Sequence, residues 1–93
     1  MGVNRLHILA KGDSMYPTIV DGKTYVLKPI GKEDIGIDDI IVYYKNDVVI
    51  CHRVVRIIRS GLGQVFVQTK GDNCDNVDSY VVPLDFIIGK LYS

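Results

Sequence analysis

Three short stretches of the chain carry residue types that do chemistry together. "KGDSMYPTIVDG" (11–22) sets Ser14 in a turn rich in Gly and Pro, "ICHRVV" (50–55) carries His52, and "TKGDNCDNVDS" (69–79) offers Asp72, Asp75 and Asp78. A neutral serine hydroxyl is a poor nucleophile and needs a base to take its proton, and that base needs a third group to orient it. Of the two histidines, His7 lies among Leu6, Ile8 and Leu9 and reads as structural or exposed. His52 sits in a strand-like run, where alternation puts it on the face of Ile50 and Val54, opposite Cys51 and Arg53. The chemistry expected is acyl transfer: Ser14 as nucleophile, His52 as base, a loop carboxylate behind it. Each residue also has a plainer reading. Serine in such a turn usually satisfies local backbone, and a histidine on an apolar strand face is usually a core residue. The acidic loop could be merely solvated, or a weak calcium loop, although it lacks the Gly and terminal Glu spacing of an EF-hand.

These residues need a scaffold, and its periodicity is that of strands. The runs 5–10, 23–29, 39–45, 48–58, 64–70 and 85–92 are rich in Val, Ile, Tyr and Phe and are bounded by Gly, Asn, Asp or Pro. Asn46-Asp47 predicts a tight hairpin turn and "RSGLG" (59–63) a longer one. Only "MYPTI" (15–19) could form a turn of helix, with Pro17 near its start. With no repeat, linker or low-complexity stretch, the whole of 1–93 is expected to fold as one all-β domain. Its sheet is expected to be antiparallel and coiled, closing on itself.

Composition narrows the partners. Lys plus Arg equals Asp plus Glu at 11 each, which argues against nucleic acid as the main partner, since phosphate binding needs a basic surface, and gives no polybasic signal for an anionic membrane. No apolar run approaches the roughly 18 to 20 residues of a membrane span, and the N-terminus does not read as a signal peptide. The expectation is a soluble, cytoplasmic protein that needs no metal or cofactor. Cys51 and Cys74 are too few for a disulfide framework, and the sequence leaves open whether they pair. A zinc or redox site from Cys51, His52 and Cys74 is a competing reading. Against it, neighbours in a strand point to opposite faces.

In that order, "GDSMYPTI", "ICHRVVRI" and "TKGDNCDNVD" resemble the catalytic boxes of the signal peptidase I superfamily of serine peptidases, which includes the LexA-like self-cleaving repressors. The resemblance spans about residues 10 to 90, and "GKLY" resembles the family's closing strand. Most bacterial members have a lysine base where this chain has His52, so the likeness is closest to the archaeal and endoplasmic-reticulum branch. It implies a LexA/signal-peptidase-like fold, Ser14 as nucleophile, His52 as general base, Asp78 as the acid that orients it, and Asp72 as a supporting carboxylate. The substrate it implies is a peptide or protein with an extended site, cut after a small residue as in a signal or leader peptide. Met15, Tyr16 and Pro17 are expected beside that substrate, while Met15, Tyr16 and Ile19 read either as an apolar rim for a leader or a peripheral membrane contact, or equally as core.

Two departures from the family stand out. Gly12 replaces the serine that many signal peptidases carry two residues before the nucleophile, which leaves the oxyanion to backbone N–H groups, chiefly that of Ser14. No spanning segment lies within these residues, although family members meet substrates at the bilayer. Self-cleavage of the repressor kind fits poorly, because the one alanine, Ala10, precedes Lys11 and nothing resembles a helix-turn-helix. The rival class is a catalytically inactive module that binds a peptide or a partner on the same fold. A histidine base must be neutral to work, so cleavage should rise with pH through the ordinary imidazole range. A rate profile measured against pH would place that limb elsewhere for a lysine base.

Overall fold

Asn46 and Asp47 both adopt positive φ, 50° and 66°, as the two central residues of a type I′ turn must, and Asn and Asp tolerate that region better than most. The turn pairs Lys45 with Val48 and thereby sets the register of the longest hairpin. The structure is a computed structural model that describes residues 6–31 and 33–92. Its strands are β1 (Leu6–Leu9), β2 (Thr24–Lys28), β3 (Ile40–Lys45), β4 (Val48–Arg59), β5 (Val65–Lys70), β6 (Val81–Pro83) and β7 (Ile87–Leu91). They form one antiparallel sheet in the order β1-β2-β7-β3-β4-β5-β6. The chain is all-β, as its alternating Val, Ile and Tyr runs predict.

Several details differ from the sequence expectation. Residues 15–19 make a turn and no helix: Tyr16 N–H donates to Asp13 O (3.1 Å) and Ile19 N–H to Met15 O (2.9 Å), with a cis Tyr16-Pro17 bond. The run 85–92 begins with a single 3-10 turn, Leu84–Phe86, and only then becomes β7. β6 has no counterpart in the predicted strands because it is three residues long and ends on Pro83, a residue that fits only an edge. Arg5, expected to start the first strand, lies outside the described residues. Among the described strands the pairing leaves β1 and β6 as edges, so backbone hydrogen bonds do not close the sheet.

β4 positions the site. Its first half pairs with β3 and its second half with β5, with a bulge between Val54 and Arg56. Changing partner along one strand bends the sheet, and the core fills the concave side: Ile41, Tyr43, Val54, Val65, Val67 and Val82, with Ile35. His52 lies on this face, one alternation from Val54. β7 returns between β2 and β3, but it pairs with β2 at only two positions, Leu27↔Leu91 and Lys28↔Lys90. Gly89 allows that approach, because a Cβ there would lie 2.7 Å from Lys28 O and 3.4 Å from Leu27 Cβ. Gly89→Ala should therefore push β1 and β2 from the sheet and cost about 1–3 kcal/mol, read as a lower urea midpoint.

Candidate active site

The turn of 11–22 meets the loop of 71–80 directly. Asn73 N–H donates to Ser14 O (2.8 Å) and its side-chain amide to Asp13 O (3.0 Å), while Thr18 Oγ1 donates to Asp72 Oδ2 (2.6 Å). Asp72 N–H also points at Met15 Sδ (3.1 Å). Two loops remote in sequence are thus bonded through four contacts, and Ser14 is held where they meet.

There, Ser14 Oγ lies 3.2 Å from His52 Nε2, and His52 Nδ1 lies 2.6 Å from Asp78 Oδ2. Ser14 can donate to Nε2 only if the imidazole proton is on Nδ1, where the carboxylate accepts it; Asp78 thereby selects the tautomer. His52 is 9% exposed, so water does little to screen the pair. Gly71 makes the closeness possible. A Cβ there would sit 2.6 Å from Ser14 O and 3.2 Å from His52 Nε2, forcing the serine and the imidazole apart.

Three hydroxyls missed in the sequence surround Asp78. Thr69 Oγ1 donates to its Oδ2 at 2.5 Å, and Tyr43 OH lies 3.5 Å from the same oxygen, 2.9 Å from Thr69 Oγ1 and 2.8 Å from Tyr80 OH. Burial pushes the Tyr43 phenol far up, well beyond the ordinary range, and burial also raises that of Tyr80. Both therefore stay protonated and act as donors. Tyr43 within β3 and Thr69 near the end of β5 read as β formers, and no linear spacing marks them as partners of an aspartate.

Asp72, expected near the site as a supporting carboxylate, is bonded elsewhere. Arg53 grips it in a fork, Nε to Oδ1 and Nη2 to Oδ2, both at 2.8 Å, and its Nη1 donates to Asp38 O (2.9 Å). The Arg53 hydrogen bonds, helped by Thr18, hold the Asp72 carboxyl below its ordinary 3.8. Arg53 is on the β4 face opposite His52, so the bridge ties the outer side of the strand to the same loop.

Of the three residues that read as rim or core, Met15 (4%) and Ile19 (5%) are buried as core and Tyr16 (54%) is exposed. Met15, expected beside a substrate, lines the groove next to Ser14, whereas Tyr16 and Pro17, expected there too, do not. That groove holds about 470 Å³ between the end of β1 (Ile8 to Gly12) and Val49 to His52 of β4. Cys51 has a thiol raised to about 11, mainly by burial, and Cys74 Sγ–H points at Ser14 O (3.9 Å); both are free thiols. Among the described residues no three His, Cys, Asp or Glu side chains gather as a metal site, and no helix is long and apolar enough to cross a membrane.

Comparison of the chain with family models, curated proteins and solved structures finds no match.

Because the Asp72 carboxyl is depressed on folding, the stability it contributes is present above about 3.8 and is lost as pH falls through its lower folded value. Asp72→Asn should accordingly destabilise the protein near neutrality and much less at about pH 2.5, measured by urea unfolding of both proteins at each pH. An equal loss at both would assign the effect to packing.

Proposed function

We propose that this chain is a serine endopeptidase of the signal peptidase I type, in its histidine-base branch. The observation that carries the reading is the unbroken relay from Ser14 Oγ through His52 to Asp78 Oδ2, at 3.2 and 2.6 Å. Ser14 attacks a peptide carbonyl as His52 Nε2 takes its proton. The imidazolium is stabilised by Asp78 and passes the proton to the leaving amine. Water then hydrolyses the acyl-enzyme with His52 again as base. For the oxyanion, Gly12 N–H is already spent on Asp21 Oδ1 (2.7 Å), whereas Ser14 N–H has no partner among the described residues. Ser14 N–H is thus available as an oxyanion donor, and a hole that lacks a side-chain hydroxyl at position 12 predicts modest turnover.

The sheet offers the substrate two edges. Val54 N–H bonds Asp39 O and Ala10 N–H bonds Lys23 O. By alternation these bonds turn the main chain of His52 and Ile50 toward β3, and that of Ile8 toward β2. The main chains of Val49 and Cys51, and of His7 and Leu9, consequently face away from their partners, and β5 pairs with β4 only from Arg53 onward. The groove lies between these edges, so an extended peptide can add as a strand ending at Ser14. Family likeness supplies the preference for a small residue before the cut.

The test uses a fluorophosphonate probe and a library of extended peptides bearing small residues at alternate positions. Labelling of Ser14, and cleavage after a small residue, should both fall by at least about a thousandfold in Ser14→Ala and His52→Ala. An inert Ser14, with no cleavage in the presence of lipid or detergent, would instead assign the groove to peptide binding without chemistry.

A further inference from the structure

We propose that Thr69, Tyr43 and Tyr80 form a directed chain of hydroxyl donors that pins the Asp78 carboxylate on His52, acting as positioning residues of the site. The proposal rests on reading Ser14, His52 and Asp78 as one catalytic unit.

The direction of the chain follows from what each atom can do. A carboxylate only accepts. Thr69 Oγ1 is 2.5 Å from Asp78 Oδ2, which commits the single proton of that hydroxyl to the aspartate. Tyr43 OH must then donate toward Thr69 Oγ1 (2.9 Å) or toward Oδ2 itself (3.5 Å). With its own proton committed, Tyr43 can only accept from Tyr80 OH (2.8 Å). Every proton points toward Asp78, where the His52 Nδ1 proton arrives from the other side.

Packing alone would not call for this arrangement. Tyr43 and Thr69 are both fully buried, at 0% exposure, and Phe and Val would fill the same shapes with no polar atom to satisfy. The hydroxyls instead converge on the one oxygen that holds His52. An aspartate bonded only to an imidazole can rotate about its side chain; one whose oxygen is also held by buried threonine and tyrosine cannot. Among the described residues no other charged group bonds that oxygen. Lys45 stands over the Tyr80 ring (4.3 Å), Arg53 and Asp72 are engaged on the opposite face of β4, and Cys74 points at Ser14 O.

The experiment compares wild type with Thr69→Val, Thr69→Ser and Tyr43→Phe by two readouts. The first is the proton NMR resonance of His52 Nδ1–H, which reports the bond to Asp78 whether or not a substrate is known. The second is the rate of Ser14 labelling by the fluorophosphonate. Expected for Thr69→Val are an upfield move and exchange broadening of the resonance, with labelling slowed roughly tenfold to a hundredfold. Thr69→Ser should restore both, and Tyr43→Phe, which keeps the core shape, should show the same changes to a smaller degree. A resonance unmoved or moved downfield in Tyr43→Phe and in Thr69→Val, with the fold intact by circular dichroism, would overturn the proposal. If wild type itself is not labelled, the peptidase reading fails, and the resonance alone decides the positioning role.

Discussion

A histidine inside a β-sheet has two ring nitrogens to satisfy, and this protein is built around how His52 satisfies them. One faces Asp78 at 2.6 Å and the other Ser14 at 3.2 Å. The first bond crosses from β4 to the loop after β5, and the second from β4 to the turn after β1. Losing Asp78 would leave a buried polar ring without its partner, at a cost of about 1–3 kcal/mol, and would also free the tautomer. Stability and chemistry thus depend on the same bond.

The loop of 71–80 can serve both faces of β4 because it sits where that strand changes partners. On the inner face it brings Asp78 to His52; on the outer face it brings Asp72 to Arg53 and Thr18. Gly71 lies at the crossing, too close to Ser14 and His52 for any side chain. The two carboxylates of one acidic loop therefore have different work. Asp78 orients an imidazole, whereas Asp72 holds the turn that carries Ser14 against the sheet.

The partner change also shapes the groove. β5 leaves β4 just where the inner-face alternation reaches His52, so Val49 and Cys51 keep an unpaired edge opposite the outer edge of β1. An unpaired edge is a hazard for aggregation, and here it borders the groove that reaches Ser14. Strand pairing, site position and access follow from a single switch in the ladder.

Local chemistry was legible in the chain without its fold. Alternating β-branched residues require strands, Asn46-Asp47 suits a tight turn because both residues accept positive φ, and Ser14, His52 and the acidic loop are residue types that make sense only together. Strand alternation also placed His52 with Val54 and apart from Arg53. Only the tertiary structure decided the rest. Spacing cannot say which carboxylate reaches an imidazole, since Asp72 and Asp78 differ by six residues but lie on opposite sides of β4. Nor can it reveal Tyr43, Thr69 and Tyr80 as one hydroxyl chain, because strands from distant parts of the sequence bring them together. Position in a turn leaves Met15 and Ile19 open between a surface rim and core, and the fold decides for core by turning that segment back on the sheet. Short-range sterics and periodicity act along the chain, whereas hydrogen-bond partners are chosen across it.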